Sequence, residues 1–542
     1  MARAGIGRPG LRTALVTRFG AWLDRPLASF HLILSIAALL SILGLVMVLS
    51  ASSVSEYTRS GSAYSMFIRQ LVFIAVGWIA FYLALRTPVR VLRRTAFLGL
   101  VLTAILLALV LVPGIGVLVN GARSWFHVGP FAFQPSELAK ISLALWGAVL
   151  LADRGVRTRN VRDMLIPLVP GALIIFTLVA LQPDFSTLVV LFFILLSLLW
   201  FAGLPLGYFV VGVGSILSVA MVMAVAEGYR TQRLRSFFNA DDDPLGASYQ
   251  ARQAKFSLAD GGLFGVGLGQ SRAKWKFLPE AHNDFIFAII GEELGFVGAV
   301  AVLGIFALFT YTGLRIAARS VDPFLRLFVA TSTVWIIGQA FINLGYVVGL
   351  LPVTGLQLPL ISAGGSSTVL TLLMFGLMAN AARHEPEAIA ALRLASKNGK
   401  GPKILRLPLP EKYQPPKPIQ RREPSRADYD DARRYGVPHD VFADEYVNPR
   451  YYRDPPCPPP VAAHRPRRNP QSRSSGGNAS TNSAYPHHRY YDDPPNRVDP
   501  RVRAPQSNSR GANSRGSNTR GSNSRGSNQP RSAPHRRGEW YE

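Results

Sequence analysis

The sequence predicts an all-α, polytopic membrane protein that crosses the bilayer about ten times, with a large extracytoplasmic loop and a disordered, basic cytoplasmic tail. Three observations lead there. The 542 residues are 49% hydrophobic and only 17% charged, too apolar and too sparsely charged for a soluble chain of this length. Apolar runs of about 20 residues, the length that spans a ~30 Å hydrocarbon core as a helix, recur through the first two thirds of the chain. From about residue 398 the composition then turns abruptly to Pro, Arg, Asn, Ser, Asp and Tyr.

Residues 1–28 form a basic segment with Arg3, Arg8, Arg12, Arg18 and Arg25. The apolar runs lie near 29–50, 67–85, 96–116, 137–152, 164–182, 186–203, 206–226, 285–313, 324–350 and 362–382. The fourth is short and the eighth long. Glu292 and Glu293 fall inside the eighth, which leaves its bounds open by several residues, with nine or eleven crossings as alternatives. Arginines mark the even-numbered connections: Arg86, Arg90, Arg93 and Arg94, then Arg154, Arg157, Arg159 and Arg162, then Arg315, Arg319 and Arg326. Short cytoplasmic loops carry such an excess, so both termini are expected inside and 51–66, 117–136, 227–284 and 351–361 outside. Arg230, Arg233 and Arg235 in the long outer loop do not offset this, because long loops obey the charge rule weakly.

The net charge of +26 comes from these loops and from the tail. Anionic membrane lipid accounts for it, and no nucleic-acid partner is expected. The single cysteine, Cys457, lies in the tail, which excludes a disulfide framework and a thiolate metal site. No cleavable signal peptide is evident, since the first apolar run has spanning length.

The membrane domain is expected over 29–385 and the tail over 386–542, where aliphatic clusters too sparse to offset ordering entropy predict disorder. SRGAN, SRGSN, TRGSN and SRGSN follow one another over 509–528 and space Arg510, Arg515, Arg520 and Arg525 evenly. That pattern suits an acidic protein surface or anionic lipid, with plain solvation as the alternative and RNA behind both.

The outer segments carry the chemistry. In GARSWFHVGPFAFQPSELAK, residues 121–140, Pro135 starts a helix and puts Glu137 and Lys140 three residues apart on one face near its outer end. Charge in a span is costly and usually functional; a local ion pair at headgroup depth is the bland alternative. Arg123 and Trp125 suit either a ligand contact or an interfacial anchor. Further on, FLPEAHNDFIFAIIGEELG sets Glu280, His282 and Asp284 immediately before an apolar helix. A carboxylate with hydrocarbon beneath it can serve as a general base. Alternatively Asp284 caps a helix beginning at Phe285. His282 has no histidine partner at ligand spacing, so it is not read as a metal site. GGLFGVGLGQ at 261–270 resembles a dinucleotide loop only superficially, without a strand and crossover around it. It reads as a re-entrant turn or a point of close backbone approach. Gly364-Gly365-Ser366-Ser367 either offers N–H groups to phosphate at a helix entrance, with Ser366 as the binding candidate, or permits tight helix packing.

Three blocks together resemble the SEDS family of shape, elongation, division and sporulation proteins, which includes FtsW and RodA. They are the 121–140 segment, YQARQAKFSLADGGLFGVGLGQSRAKWKFLPEAHNDFIFAIIGEELG at 249–295, and INLGYVVGLLPVTGLQLPLISAGGSS at 342–367. The resemblance covers about 30–385. It implies a peptidoglycan glycosyltransferase that polymerises lipid II at the outer face of the plasma membrane and releases undecaprenyl pyrophosphate. It implies a class B penicillin-binding protein as partner and Asp284 as the catalytic residue. Glu137 and Lys140 would line the cavity with it, and Arg123 would contact substrate or pyrophosphate. QPDFST at 182–187 is similar to the family's QPDLGT and adds Gln182 and Asp184 as further cavity candidates. A divalent cation, Mg or Mn, would join the cations at the leaving group. Asn283 stands where the family has threonine, and Ala363 where it has tyrosine. GLLPVTGLQLPLIS looks more like the division (FtsW) branch than the elongation (RodA) branch. A long tail suits recruitment to the tubulin-like protein FtsZ or a division adaptor at the septum. The competing readings are a lipid II flippase without chemistry, which would favour charges around a midplane cavity, and a scaffold that recruits a transpeptidase.

Overall fold

The computed structural model describes residues 24–119, 121–129, 131–154, 161–226, 247–275, 278, 281–397 and 407–414, all within the unit Met1–Arg421. The basic segment before residue 24, Glu280, the first part of the outer loop and the arginine repeats lie outside the described residues.

Every expected apolar run carries a helix: α1 (Ala28–Ser60), α2 (Ser65–Arg86), α3 (Val89–Val110), α4 (Pro135–Arg154), α5 (Val161–Ala180), α6 (Phe185–Phe201), α7 (Leu206–Ala226), then α9 (Ile286–Arg319), α10 (Pro323–Val347) and α11 (Gly365–Arg383). Between them, α8 (Ala247–Asp260) lies in the long loop and α12 (Pro386–Lys397) follows the last span. Among the described residues, seven helices are long and apolar enough to cross a membrane. The fourth, expected to be short, runs 20 residues, and α6 at 17 is the shortest of the ten. Helix α4 gains length because Pro135 opens it before Glu137, at the first-turn position where proline costs no hydrogen bond.

The expected polar loop before α4 is instead a three-stranded antiparallel meander, β1 (Val117–Val119), β2 (Ala122–Val128) and β3 (Phe131–Phe133). Arg123 pairs with Leu118 across β1 and β2, and Phe126 with Phe133 across β2 and β3. The aromatic residues and valine of WFHV and FAF suit strands, a pattern too short to stand out beside 20-residue spans.

Helix α9 is two helices. Gly295, with φ 68° and ψ −169°, breaks it directly after Glu292 and Glu293, both fully buried. The glycine-rich turn docks into the break. Val266 and Gly267 N–H donate to the carbonyls of Glu292 and Glu293 at 2.9 and 3.0 Å, and Phe296 and Val297 N–H donate back to Gly262 and Leu263 at 2.9 and 3.1 Å. A Cβ on Gly265 would sit 2.2 Å from the Glu293 carbonyl oxygen, so the close approach read from the glycines is backbone to backbone. Ser50 of α1 donates to both Glu293 oxygens at 2.5 and 2.7 Å, while Ser271 Oγ and Arg272 N–H donate to Glu292 at 2.7 and 2.6 Å. These bonds let two carboxylates stand buried.

Small residues bring helices together, as membrane packing requires. A Cβ on Gly77 would meet Leu372 at 2.5 Å, and one on Gly376 would meet the Phe81 carbonyl at 2.5 Å, which joins α2 to α11. The ordered chain runs past the boundary expected at 385. PEAIAALRLASK has proline at its first position, Glu387 in the first turn and Lys397 in the last, and residues 407–414, in neither helix nor strand, lie against the bundle.

The two ends of the bundle differ. One gathers Arg90, Arg93, Asp153, Asp322 and Arg383; the other gathers Gln134, Asp184, Asp284, Thr354 and Ser366.

A polar site at the end of the bundle opposite the arginine loops

Asp284 sits in the turn that leads into α9, and its backbone is held from two sides. Asn343 Nδ2 and Tyr346 Oη, one turn apart near the end of α10, donate to the Asp284 carbonyl at 3.0 and 2.8 Å, and both also donate to the Leu356 carbonyl, at 2.6 and 2.8 Å. On the other side Ser362 Oγ donates to the Asn283 carbonyl at 2.7 Å, and Ala363 N–H donates to the His282 carbonyl at 3.0 Å. The alanine at 363 thus still fixes the segment through its backbone. Helix α9 begins at Ile286, the residue before it is Phe285, and no side chain caps it, so Asp284 is not the N-cap. Its carboxylate faces the 353–357 turn: a Cβ on Gly355, where φ is +80°, would lie 3.5 Å from Oδ2. His282 and Asp284 are both half-buried.

The 134–140 segment meets the same turn through α6. Asp184 caps α6 by accepting from Thr187 N–H at 3.1 Å, and its other oxygen accepts from Gln134 Nε2 at 2.9 Å, Ser136 Oγ at 3.2 Å and Thr187 Oγ1 at 2.6 Å. Ser186 donates to the Thr354 carbonyl, next to Gly355. Gln134 N–H donates to Ser366 Oγ at 3.3 Å, while Ser367 Oγ donates to Gln357 Oε1 at 2.7 Å. Gln357 O accepts from Gln339 Nε2 at 2.9 Å. Lys140 and Glu137 form an ion pair of 2.7 Å, with side chains 2% and 13% exposed. The pair is buried inside the bundle rather than lying at a headgroup-depth surface. The ammonium lies 5.4 Å from the Trp335 ring, and Trp335 Nε1 donates to Gln339.

Asp284, Asp184, Ser366, Glu137 and Lys140 therefore belong to one connected polar region, linked by the 353–357 turn and by Gln134. Gln182 stands apart: it is fully buried and its Nε2 donates to the Leu107 carbonyl at 3.0 Å, tying α5 and α6 to α3. Arg123 lies in β2 with its stem against Gly116, where a Cβ would come within 3.0 Å of its Cγ. Sequence reasoning passed over Gln134, Ser136, Asn343 and Tyr346, although the Asn343–Tyr346 spacing of three places both on one face of α10. Among the described residues no three His, Cys, Asp or Glu side chains are grouped to hold a metal ion.

The sequence profile of the FtsW/RodA/SpoVE group, described as cell cycle protein, matches residues 30–387. A probable peptidoglycan glycosyltransferase FtsW of Mycobacterium tuberculosis is 58% identical over 411 residues, which cover 76% of this chain and 78% of that one. Stage V sporulation protein E of Bacillus subtilis is 38% identical over 355 residues, 65% of this chain and 96% of the relative. Among solved structures, a chain of a peptidoglycan synthase complex that coordinates polymerization and crosslinking superposes with a TM-score of 0.55 at 30% identity, covering 67% of this chain and 99% of that one.

Proposed function

The chain belongs to the FtsW/RodA/SpoVE family and is a division-associated peptidoglycan glycosyltransferase of the FtsW type, and from that premise we propose that Asp284 is its general base. One observation carries this reading: the carboxylate is set on a backbone clamped from both sides, by Asn343 and Tyr346 and by Ser362 and Ala363, and faces the backbone of Gly355. Such clamping is what general catalysis requires of its base. The substrate is lipid II. The 4-hydroxyl of the acceptor sugar gives its proton to Asp284 as its oxygen bonds to the donor's anomeric carbon, and the bond from that carbon to the pyrophosphate oxygen breaks with its electron pair. A leaving group this activated needs no second acid. Arg123 and Lys140 supply positive charge for the departing anion.

The end that carries Asp284 faces outward and the arginine-rich end faces the cytoplasm, as the distribution of arginine supports. The protein works at the division septum beside a class B penicillin-binding protein, a partnership supported by the synthase-complex neighbour. The tail beyond residue 414 docks to FtsZ or an adaptor; septal localisation that survives deletion of 415–542 would overturn that role.

The test supplies lipid II in detergent to the purified protein with its partner transpeptidase. Wild type makes glycan strands, and Asp284→Asn, folded and partner-bound, loses at least about 100-fold of the rate. Polymer from the variant at the wild-type rate would remove Asp284 from the chemistry and leave the scaffold reading in its place.

A further inference from the structure

Beyond the outer site, the arginine-rich end of the bundle holds an arrangement that the polymerase reading does not use. The segment 407–414, LPLPEKYQ, in neither helix nor strand, is gripped at three points by side chains from two helices, α3 and α11. Arg383, at the end of α11, donates to the Pro408 carbonyl at 2.6 Å while its other nitrogen donates to the Leu85 carbonyl of α2 at 3.3 Å. Arg90 pairs with Glu411 at 2.7 Å. The Arg93 guanidinium lies 5.9 Å from the Tyr413 ring. Leu407 packs against the core and Pro410 is buried. Two prolines keep such a segment extended at low entropic cost, which is how peptide ligands are commonly presented.

Arg93 does more than touch Tyr413. It is paired with Asp322 and, at 3.3 Å, with Asp153, and it lies 5.1 Å from the Phe324 ring. Asp322 is the N-cap of α10, accepting from Phe324 N–H at 2.9 Å. The far end of that helix carries Asn343 and Tyr346, which hold the Asp284 backbone.

We propose that the arginine-rich end is a peptide-binding site, built by Arg90, Arg93 and Arg383, whose resident ligand is the chain's own segment 407–414. Its occupancy steadies Arg93 on the α10 cap and so the seat of Asp284. The site takes an extended, proline-containing segment with an acidic and an aromatic residue two positions apart. Any other peptide using it must displace the strap first, so the site reports whether the root of the tail is held or released.

The experiment uses full-length protein in nanodiscs, with the native Cys457→Ser and a spin label at Lys412→Cys. Exposed ion pairs contribute little singly, so the variants reverse charge rather than delete it. The label is expected to be motionally restricted in the parent, several-fold faster in Glu411→Arg and in Arg90→Glu, and restricted again when the two reversals are combined. A label already mobile in the parent, or equally restricted in both single reversals, overturns the site. The same samples are assayed for glycan polymerisation, an arm that rests on the polymerase reading whereas the mobility arm does not. Each single reversal should slow polymerisation by about threefold, within the range for coupled distant sites, and the double reversal should restore it. Equal rates in all four proteins, with mobility changing as described, would overturn the link to Asp284 while leaving the peptide site in place.

Discussion

Lys140 is the side chain whose loss should be most costly. Its ammonium is fully buried against Glu137 and the Trp335 ring, and removing one partner of a buried pair strands the other charge in low dielectric. Lys140→Met should lower stability by about 3–5 kcal/mol, read as a fall in the thermal unfolding midpoint of the detergent-purified protein. Glu137→Gln with Lys140→Met should recover most of it, since the orphan charge is then gone. Tyr346→Phe is milder and more telling: it deletes the hydroxyl that donates to the Asp284 and Leu356 carbonyls, and should cost roughly 1–2 kcal/mol while slowing polymerisation more than it destabilises. The spacing of Glu137 and Lys140 was legible in the sequence, because three residues on a helix is a fixed geometry. Their burial was not, because burial depends on α10, nearly 200 positions away, bringing Trp335 over the ammonium. For Asp284 the position was legible, and the capping alternative fell only because the helix starts one residue later than its apolar run.

Glycine decides how the segment carrying Asp284 is joined to the rest. Gly265 and Gly295 both have positive φ and their backbones touch, so a Cβ on Gly295 would lie 2.3 Å from the Gly265 nitrogen. Gly295→Ala should abolish the folded protein, seen as loss of a monodisperse peak in detergent, whereas Gly304→Ala, with open space at the Cβ, should be neutral. The sequence showed a glycine-rich turn and two glutamates inside an overlong span as separate oddities; only the fold shows that each is the other's partner. At the opposite end, His384 lies just past α11 with its Nδ1 2.8 Å from the Asn380 carbonyl. Burial holds its imidazole below the ordinary value of 6.5, opposed by the Asn380 hydrogen bond. Folding therefore favours the neutral ring: this contribution is present above pH 6.5 and is lost as pH falls through the depressed value. Glu385, pushed up from 4.5 by burial, has the opposite sign, contributing in acid and losing its contribution as pH rises through the raised value. Thermal midpoints between about pH 7.5 and 5.5 should fall less in His384→Gln than in wild type, because glutamine at that position takes up no proton on unfolding.

For the molecule as a whole, the ten apolar runs were plain because a span of hydrocarbon length admits few alternatives to a helix. The β meander and the helix break were not, because both depend on short segments meeting distant backbone. The orientation drawn from arginine is open to a direct check. Single cysteines at Leu118 and at Lys412, in a Cys457→Ser background, should react with a membrane-impermeant maleimide in opposite circumstances: Leu118 in intact cells, Lys412 only after lysis. The reverse pattern would turn the whole chain over. One dimension bears on what happens after the bond is made. Helix α1 has 33 residues, which at 1.5 Å each is a rod of ~50 Å in a bilayer core of ~30 Å. The surplus beyond α1's midsection includes Glu56 and Tyr57, and its Ser50 is bonded to Glu293 beside the docked turn. On the orientation drawn from arginine, α1 therefore stands beyond the hydrocarbon on the face where the glycan would be released.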